Sequence, residues 1–444
     1  MTAFRPRGGA HLLYNLALGT ALLALSPAWF PWAMLSRRRR INFPDRLGLR
    51  MERIPPASGR ERIWIHAVSV GETLSAAPLV RRLRGRLPGV EILFSTVTVT
   101  GRDAAEKTLA AETDARFYFP FDLPGIAGKF LDRLRPDVVV ILETEIWPNF
   151  LAECSKRGIP AMIVNGRISE RSFRGYARFR FLFSRVLACL ASITTQTEED
   201  ARRFLALGAP PAAVTATGNM KFDVAPPAAG QSPLHALLKG DREEGTRWLV
   251  AGSTHEGEEA AVLRAFDKAR SVDRSMKLLL APRHPERFDS VEELCRREGF
   301  ETVRRTRIAR EAGETLPEVI LLDTVGELPS AYAAADIAFV GGSLVPKGGH
   351  NILEPALYGV PTVVGPHMEN FREIDEIFTD AGALCKVKDA QGLASLLVRF
   401  AENPYAEYET GKRARELLAA FRGATERNAE IVERALSLRR RKSG

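Results

Sequence analysis

From residue 62 onward the chain alternates short apolar runs with stretches of helical periodicity, and it completes that pattern twice. In the first half the runs are RIWIHAV (62–68), VEILFSTV (90–97), DVVVILET (137–144), IPAMIVNG (159–166) and SITTQT (192–197). Between them lie helical stretches such as GETLSAAPLVRRLRGRL (71–87), GRDAAEKTLA (101–110) and one opening at Pro148. The second half restarts with RWLVAGST (247–254), MKLLLAPRH (276–284), VILLDTV (319–325), DIAFVGGS (336–343) and VPTVVGP (360–366). Strands alternating with helices of this length build a parallel, doubly wound sheet. Two such halves are expected, joined by the proline- and glycine-rich VAPPAAGQSP (224–233). Ligands of such folds bind outside the carboxyl ends of the strands, so a cleft between two Rossmann-like domains is expected.

The boundaries read as 1–40, a hydrophobic membrane anchor with a basic linker; 41–223, the first domain; 224–235, the linker; and 236–444, the second domain with C-terminal helices. The closing RRRKSG reads as a solvated tail. From His11 to Ser36 no residue is charged, and the segment ends in Trp29, Phe30, Trp32 and then Arg37 to Arg40. That is a segment long enough to span a bilayer, an aromatic belt, and a basic cluster that keeps the remainder of the chain in the cytoplasm. Pro27 and Pro31 leave open a helix lying in the interface instead. The formal charge of +9 favours an acidic partner: nucleic acid, anionic lipid or a phosphorylated substrate. Cys154, Cys189, Cys295 and Cys385 are far apart, which argues against a zinc site or a disulfide framework.

Several residues carry possible chemistry. Glu72 follows a strand and Gly71, where a carboxylate can act as general base or simply complement the helix dipole. Glu143 and Glu145 end the run 138–142, and in an extended segment both face the same way. Lys221, in TGNMKFD, falls at the domain junction. In the second half four loops come after four strands: GSTHEGEE, PRHPERF with Arg283, DTVGELPSAY with Gly326, and GGSLVPKGGHNILEP. Arg283 can clamp a phosphate bidentately. In the last loop the glycines allow backbone N–H groups to approach a phosphate, and a helix opening on Asn351 carries Glu354 in its first turn. The plain alternative is a tight turn with Asn351 as N-cap. His255, His284 and His350 lack the spacing of a metal motif, and no metal is expected.

With SVGE, ETEIWPN, GNMKFD, STHEGEE, PRHPERF and GGSLVPKGGHNILEP in view, the chain resembles the bacterial Kdo transferases from about Phe43 to about Ala424. The resemblance implies a membrane-associated inverting glycosyltransferase of the GT-B fold, with an N-terminal membrane-anchor helix. It would move 3-deoxy-D-manno-octulosonic acid (Kdo) from CMP-Kdo to a lipid A precursor, lipid IVA, at the cytoplasmic side of the inner membrane. Glu72 would be the general base, with Glu143 and Lys221 steadying the transition state. Pro282, Arg283, Val325, Gly326, Glu327, His350, Asn351, Leu353 and Glu354 would hold CMP. CMP-Kdo is then a co-substrate and no cofactor is implied; anionic lipids are partners and nucleic acid is not. Another GT-B enzyme, such as a UDP-sugar transferase or epimerase, and a membrane-tethered nucleotide sensor are the competing readings.

Overall fold

The computed structural model describes residues 9–24, 37–223, 232–308, 316–403 and 405–443. These form two compact units. One takes the described residues up to Asp223 together with those from Arg422 on; the other runs from residue 232 to Phe421. Most of the anticipated linker, 224–231, lies outside the described residues. Its last part is not linker, because a helix runs over Pro233–Glu243 with the proline at its first turn, where the missing N–H costs nothing.

In the first unit the strands are β1 (Arg62–His66), β2 (Glu91–Thr96), β3 (Ala115–Tyr118), β4 (Val138–Leu142), β5 (Ala161–Gly166), β6 (Leu190–Thr195) and β7 (Val214–Ala216). They lie parallel in the order β3-β2-β1-β4-β5-β6-β7. The central strands β1, β2, β4 and β5 are buried along their whole length, which is why they read as continuous apolar runs. The second unit holds β8 (Arg247–Thr254), β9 (Met276–Pro282), β10 (Thr302–Arg304), β11 (Val319–Leu321), β12 (Ile337–Val340), β13 (Thr362–Val364) and β14 (Cys385–Lys386). Its order is β10-β11-β9-β8-β12-β13-β14, again parallel. Chain direction across the sheet reverses at β1/β4 in one unit and at β8/β12 in the other. Those switch points are where doubly wound sheets open a crevice at their carboxyl edge.

The C-terminal helix Ala424–Ser443 belongs to the first unit, against the assignment of 236–444 to one domain. Its Ala429, Val432 and Leu436, at helical spacing, are buried beside Ile63, Ile65 and Leu79. Nor are the final arginines a free tail: Arg439 donates to the Gly158 carbonyl at 3.0 Å and Arg440 pairs with Glu61.

Near the N-terminus a 16-residue helix, Gly9–Ala24, sits against the same unit. Tyr14 donates to Asp122 at 3.0 Å, and Asn149 donates to Asn15 at 2.8 Å, while Leu16 and Leu23 are exposed. No described helix is long and apolar enough to cross a membrane. Residues 25–36, with the aromatic belt, lie outside the described residues.

Candidate active site

In each unit several of the expected site residues come after the strands of its switch point. In the first unit, Ser69 caps the helix Val70–Arg86 that comes after β1, and the third residue of the helix is Glu72. The Glu72 carboxylate turns back to accept from Val68 N at 2.6 Å and from Ser69 Oγ at 3.3 Å. This is a variant of the capping box, with the reciprocal bond made one residue earlier. The cap fixes the carboxyl, yet it does not make it an ordinary surface glutamate. Burial pushes the group up to about 7, and Glu143 adds to the rise, against the pull of Val68 N–H, Ser69 and Lys221. It thus stands near neutrality, where a general base works best.

On the other side of the switch point, β4 ends at Leu142, and Glu143 takes φ +57°, the left-handed region. The segment is therefore not extended through Glu145, as alternation had suggested. A non-glycine residue held in that region stores strain that the surrounding fold must sustain. The bond from Glu143 N to the Val164 carbonyl, at 2.9 Å, holds it there. Lys221 Nζ lies 4.0 Å from Glu143 Oε1. Glu145, left outside the expected catalytic group, is pushed up to about 7, first by burial and then by Glu72 and Glu143. Three carboxyls and one ammonium thus share one half-buried patch at the carboxyl edge of the first sheet. Two of the carboxyls cannot both ionise cheaply.

In the second unit the switch point is flanked by His255, after β8, and by the loop after β12. His255 Nε2 and His350 Nε2 are 2.8 Å apart, with the rings 5° from parallel and centroids 5.1 Å apart. That is the geometry of a head-on N–H···N bond, so one ring donates and the other accepts. His284 packs edge-on to His255 at 5.3 Å. Residues separated in sequence therefore meet in space. Still, among the described residues no group of three or more His, Cys, Asp or Glu is arranged to hold a metal. Burial, then the positive Arg283, push His350 down to about 4.

Arg283 comes directly after Pro282, the buried last residue of β9, and its N–H donates to the Thr254 carbonyl at 2.9 Å, leaving the guanidinium exposed. It acts on Glu354 as well, opposing the upward push of burial on that carboxyl. Asn351 Nδ2 donates to Glu354 Oε1 at 3.1 Å, and Asn351 Oδ1 accepts from Leu353 N at 3.1 Å. Leu353 itself is buried. Val325 is 87% exposed beside Gly326, whose φ is +94°, at the tip of the loop after β11. Glu327 accepts from Thr324 Oγ1 at 2.5 Å and pairs with Arg305 at 3.5 Å.

Two sequence expectations change here. The helix carrying Glu354 opens at Leu353, not Asn351, and lasts five residues, so its dipole is slight. The first glycine pair cradles no phosphate. Glu258, fully buried, accepts from Gly342 N (2.7 Å), Ser343 N (3.0 Å), Leu344 N (2.9 Å) and His255 N (2.9 Å). A carboxylate of the unit already fills that nest of N–H groups. Arg283 and the second glycine stretch, Gly348 to Asn351, are the groups near this edge that could still meet an anion.

The profile of a family described as 3-deoxy-D-manno-octulosonic-acid transferase (kdotransferase) matches residues 42–224. The 3-deoxy-D-manno-octulosonic acid transferase of Haemophilus influenzae is 33% identical over 85% of this chain and 87% of its own. That of Bordetella pertussis is 35% identical over 93% of this chain and 97% of its own. Among solved structures, the C-terminal CMP-Kdo binding domain of WaaA from Acinetobacter baumannii is 36% identical, covering 41% of this chain and 98% of that one, at a TM-score of 0.37. A UDP-GlcNAc 2-epimerase from Neisseria meningitidis aligns over 85% of this chain and 99% of that one at a TM-score of 0.53 and 12% identity, a likeness of fold alone.

Proposed function

The chain belongs to the 3-deoxy-D-manno-octulosonic acid (Kdo) transferase family and is a glycosyltransferase, and from that premise we propose that it transfers Kdo from CMP-Kdo to a lipid A precursor, lipid IVA, with inversion. Its two parallel-sheet α/β units resemble those of GT-B glycosyltransferases. The observation that carries the mechanism is Glu72: a half-buried carboxyl at the switch point of the first sheet, raised to about 7, with Glu143 and Lys221 in its field. Glu72 takes the proton of a sugar hydroxyl on the acceptor as the oxygen attacks the anomeric carbon of Kdo. The bond from that carbon to the CMP phosphate breaks, and CMP leaves with the electron pair. Lys221 balances the resting charge of Glu143 and Glu72 and so helps keep Glu72 ionised until it takes that proton, while the new negative charge develops on the departing phosphate. Arg283 grips the phosphate of the nucleotide, Glu354 and Asn351 meet the ribose hydroxyls, and the backbone at Val325 and Gly326 meets the base edge. The reading invokes no metal.

The donor is activated and the acceptor is lipid, so the enzyme belongs at a membrane surface, on the cytoplasmic side of the inner membrane. The helix Gly9–Ala24 adjoins the helix Arg180–Leu187. Leu16 and Leu23 are exposed on the first helix and Phe179 and Phe181 at the start of the second, and Arg171, Arg174, Arg178 and Arg185, close by in sequence to the two phenylalanines, are exposed too. Exposed apolar side chains together with exposed arginines suit a helix lying in an anionic interface rather than crossing it.

Purified protein with lipid IVA and CMP-Kdo generated in situ, analysed by mass spectrometry beside Glu72→Gln, tests the reading. Wild type is expected to add one or more Kdo mass increments, and the variant to lose turnover by about a hundredfold or more with CMP affinity retained. Protection of the protein by UDP but not CMP refutes the donor, and full activity in Glu72→Gln refutes the base.

A further inference from the structure

Lys221 is held by a device that no motif announces. It lies in a one-turn helix, Met220–Phe222, after β7, and its approach to Glu143 depends on where that turn is placed. Three buried amide side chains place it. Asn165, at the end of β5 with φ +58°, accepts the Met220 N–H on its Oδ1 at 3.0 Å. Asn219 Oδ1 accepts the Lys221 N–H at 3.0 Å, and Asn219 Nδ2 donates to Gln196 Oε1 at 2.9 Å. Gln196 Nε2 closes the ring by donating to the Asn165 carbonyl at 3.1 Å. Asn165, Gln196 and Asn219 are 0%, 5% and 3% exposed. Amides in so dry a place are costly unless bonded; of their side-chain nitrogens and oxygens only Asn165 Nδ2 lacks a partner among the described residues.

The chain geometry shows what the ring is aimed at. Leu142 pairs with Val164 across β4 and β5, so Glu143 and Asn165 are the next residue on each strand. Both turn left-handed there, at φ +57° and +58°. Asparagine tolerates that region better than most residues, and its short side chain reaches Met220 from it. The same pair of strand ends therefore carries Glu143 on one side and the anchor of the Lys221 turn on the other. From beyond the turn, Asp223 accepts from Gly423 N at 2.6 Å and from Thr425 N, so the C-terminal helix clasps its other end. Asn428 of that helix bonds Thr194 and Thr217 at 2.6 and 3.2 Å.

We propose that Asn165, Gln196 and Asn219 are positioning residues, a buried amide ring whose function is to set the Lys221 ammonium against Glu143. The inference rests on the proposed function, in which Lys221 and Glu143 act in transfer. None of the three side chains need touch a substrate.

The test is a double-mutant cycle on the full-length enzyme. Gln196→Met, which removes both side-chain bonds at similar volume, is made in the wild type and in Lys221→Ala, and steady-state kinetics are measured with CMP-Kdo and lipid IVA. In the wild type kcat is expected to fall about tenfold with KM for CMP-Kdo changed by less than about twofold. In Lys221→Ala the same substitution should cost less than about twofold, because the group it positions is gone. An equal fall in both backgrounds assigns the ring a general structural role and overturns the proposal, as does an unchanged kcat in the wild type. If Lys221→Ala itself keeps full activity, the role of Lys221 fails and the ring's purpose with it, a result distinct from the additive one. Should Gln196→Met fail to fold, Asn219→Asp, which keeps the acceptor for Lys221 N–H and loses the donor to Gln196, carries the same cycle.

Discussion

Replacing Glu72 by glutamine should make the protein more stable at alkaline pH, although Glu72 sits in a helix cap. A carboxyl raised from 4.5 to about 7 in the folded chain binds its proton more tightly than in the unfolded one. Its contribution to stability is complete below the unfolded value and is lost as pH climbs through the folded value, so the loss falls between about pH 4.5 and 7. The rise corresponds to about 3 kcal/mol at 1.36 kcal/mol for each tenfold change in proton affinity, and to about 2 kcal/mol after allowing for partial exposure. Glutamine retains an oxygen for Val68 N–H and carries no charge to bury. It also relieves Glu145, whose carboxyl Glu72 helps to push up, so both effects have the same sign. The expected result is near-equal stability of wild type and Glu72→Gln at pH 5, and an advantage of about 2 kcal/mol for the variant at pH 8. That amounts to ~4–8 °C in the melting temperature of the first unit. Thermal melts of the two proteins at both pH values measure it. A variant less stable than wild type at pH 8 would show that Glu72 is held as a stabilising anionic cap, and a difference that does not change with pH would show that folding leaves its proton affinity unaltered. The argument from desolvation would then be wrong.

Other perturbations separate the remaining roles. Arg283→Ala should weaken CMP binding by about tenfold or more in calorimetry, the loss of one charge-assisted phosphate contact, with the melting temperature unmoved because the guanidinium is exposed. Glu258→Ala should do the reverse and destabilise the second unit by about 3 kcal/mol or more, since it strands four N–H groups, three of them buried; a soluble variant with an unchanged melt refutes that assignment. Phe179→Ser together with Phe181→Ser should reduce flotation with anionic liposomes while leaving CMP affinity intact, and unchanged flotation would remove those rings from the membrane face. The rate constant kcat/KM should rise with pH to a break near 7, the ionisation of Glu72; a flat profile between pH 5 and 8 contradicts its role as base.

Much of the fold was legible because buried parallel strands must be apolar along their whole length. VEILFSTV gave Glu91–Thr96, IPAMIVNG gave Ala161–Gly166, and GETLSAAPLVRRLRGRL gave the helix Val70–Arg86 after β1. The glycines of GGSL were legible as a nest of N–H groups but not as a filled one. The carboxylate that fills it, Glu258, comes from a different loop and looks like any acidic residue at a helix start. Alternation over ETE predicted two carboxylates on one side. It had no means of showing that Glu143 turns left-handed, because that conformation is imposed by neighbours and not preferred by glutamate.

By itself the sequence determined two parallel α/β units, the strand ends at which chemistry would gather, and most of the residues gathered there. Periodicity and capping are local properties, written within a few residues of where they act. Tertiary structure alone decided the rest. It brought His255 against His350, returned the last helix to the first unit, and closed Asn165, Gln196 and Asn219 into a ring around the Lys221 turn. Those contacts join residues far apart along the chain: the last helix is held by apolar burial, and the polar contacts by hydrogen bonds that offset the cost of taking their groups out of water.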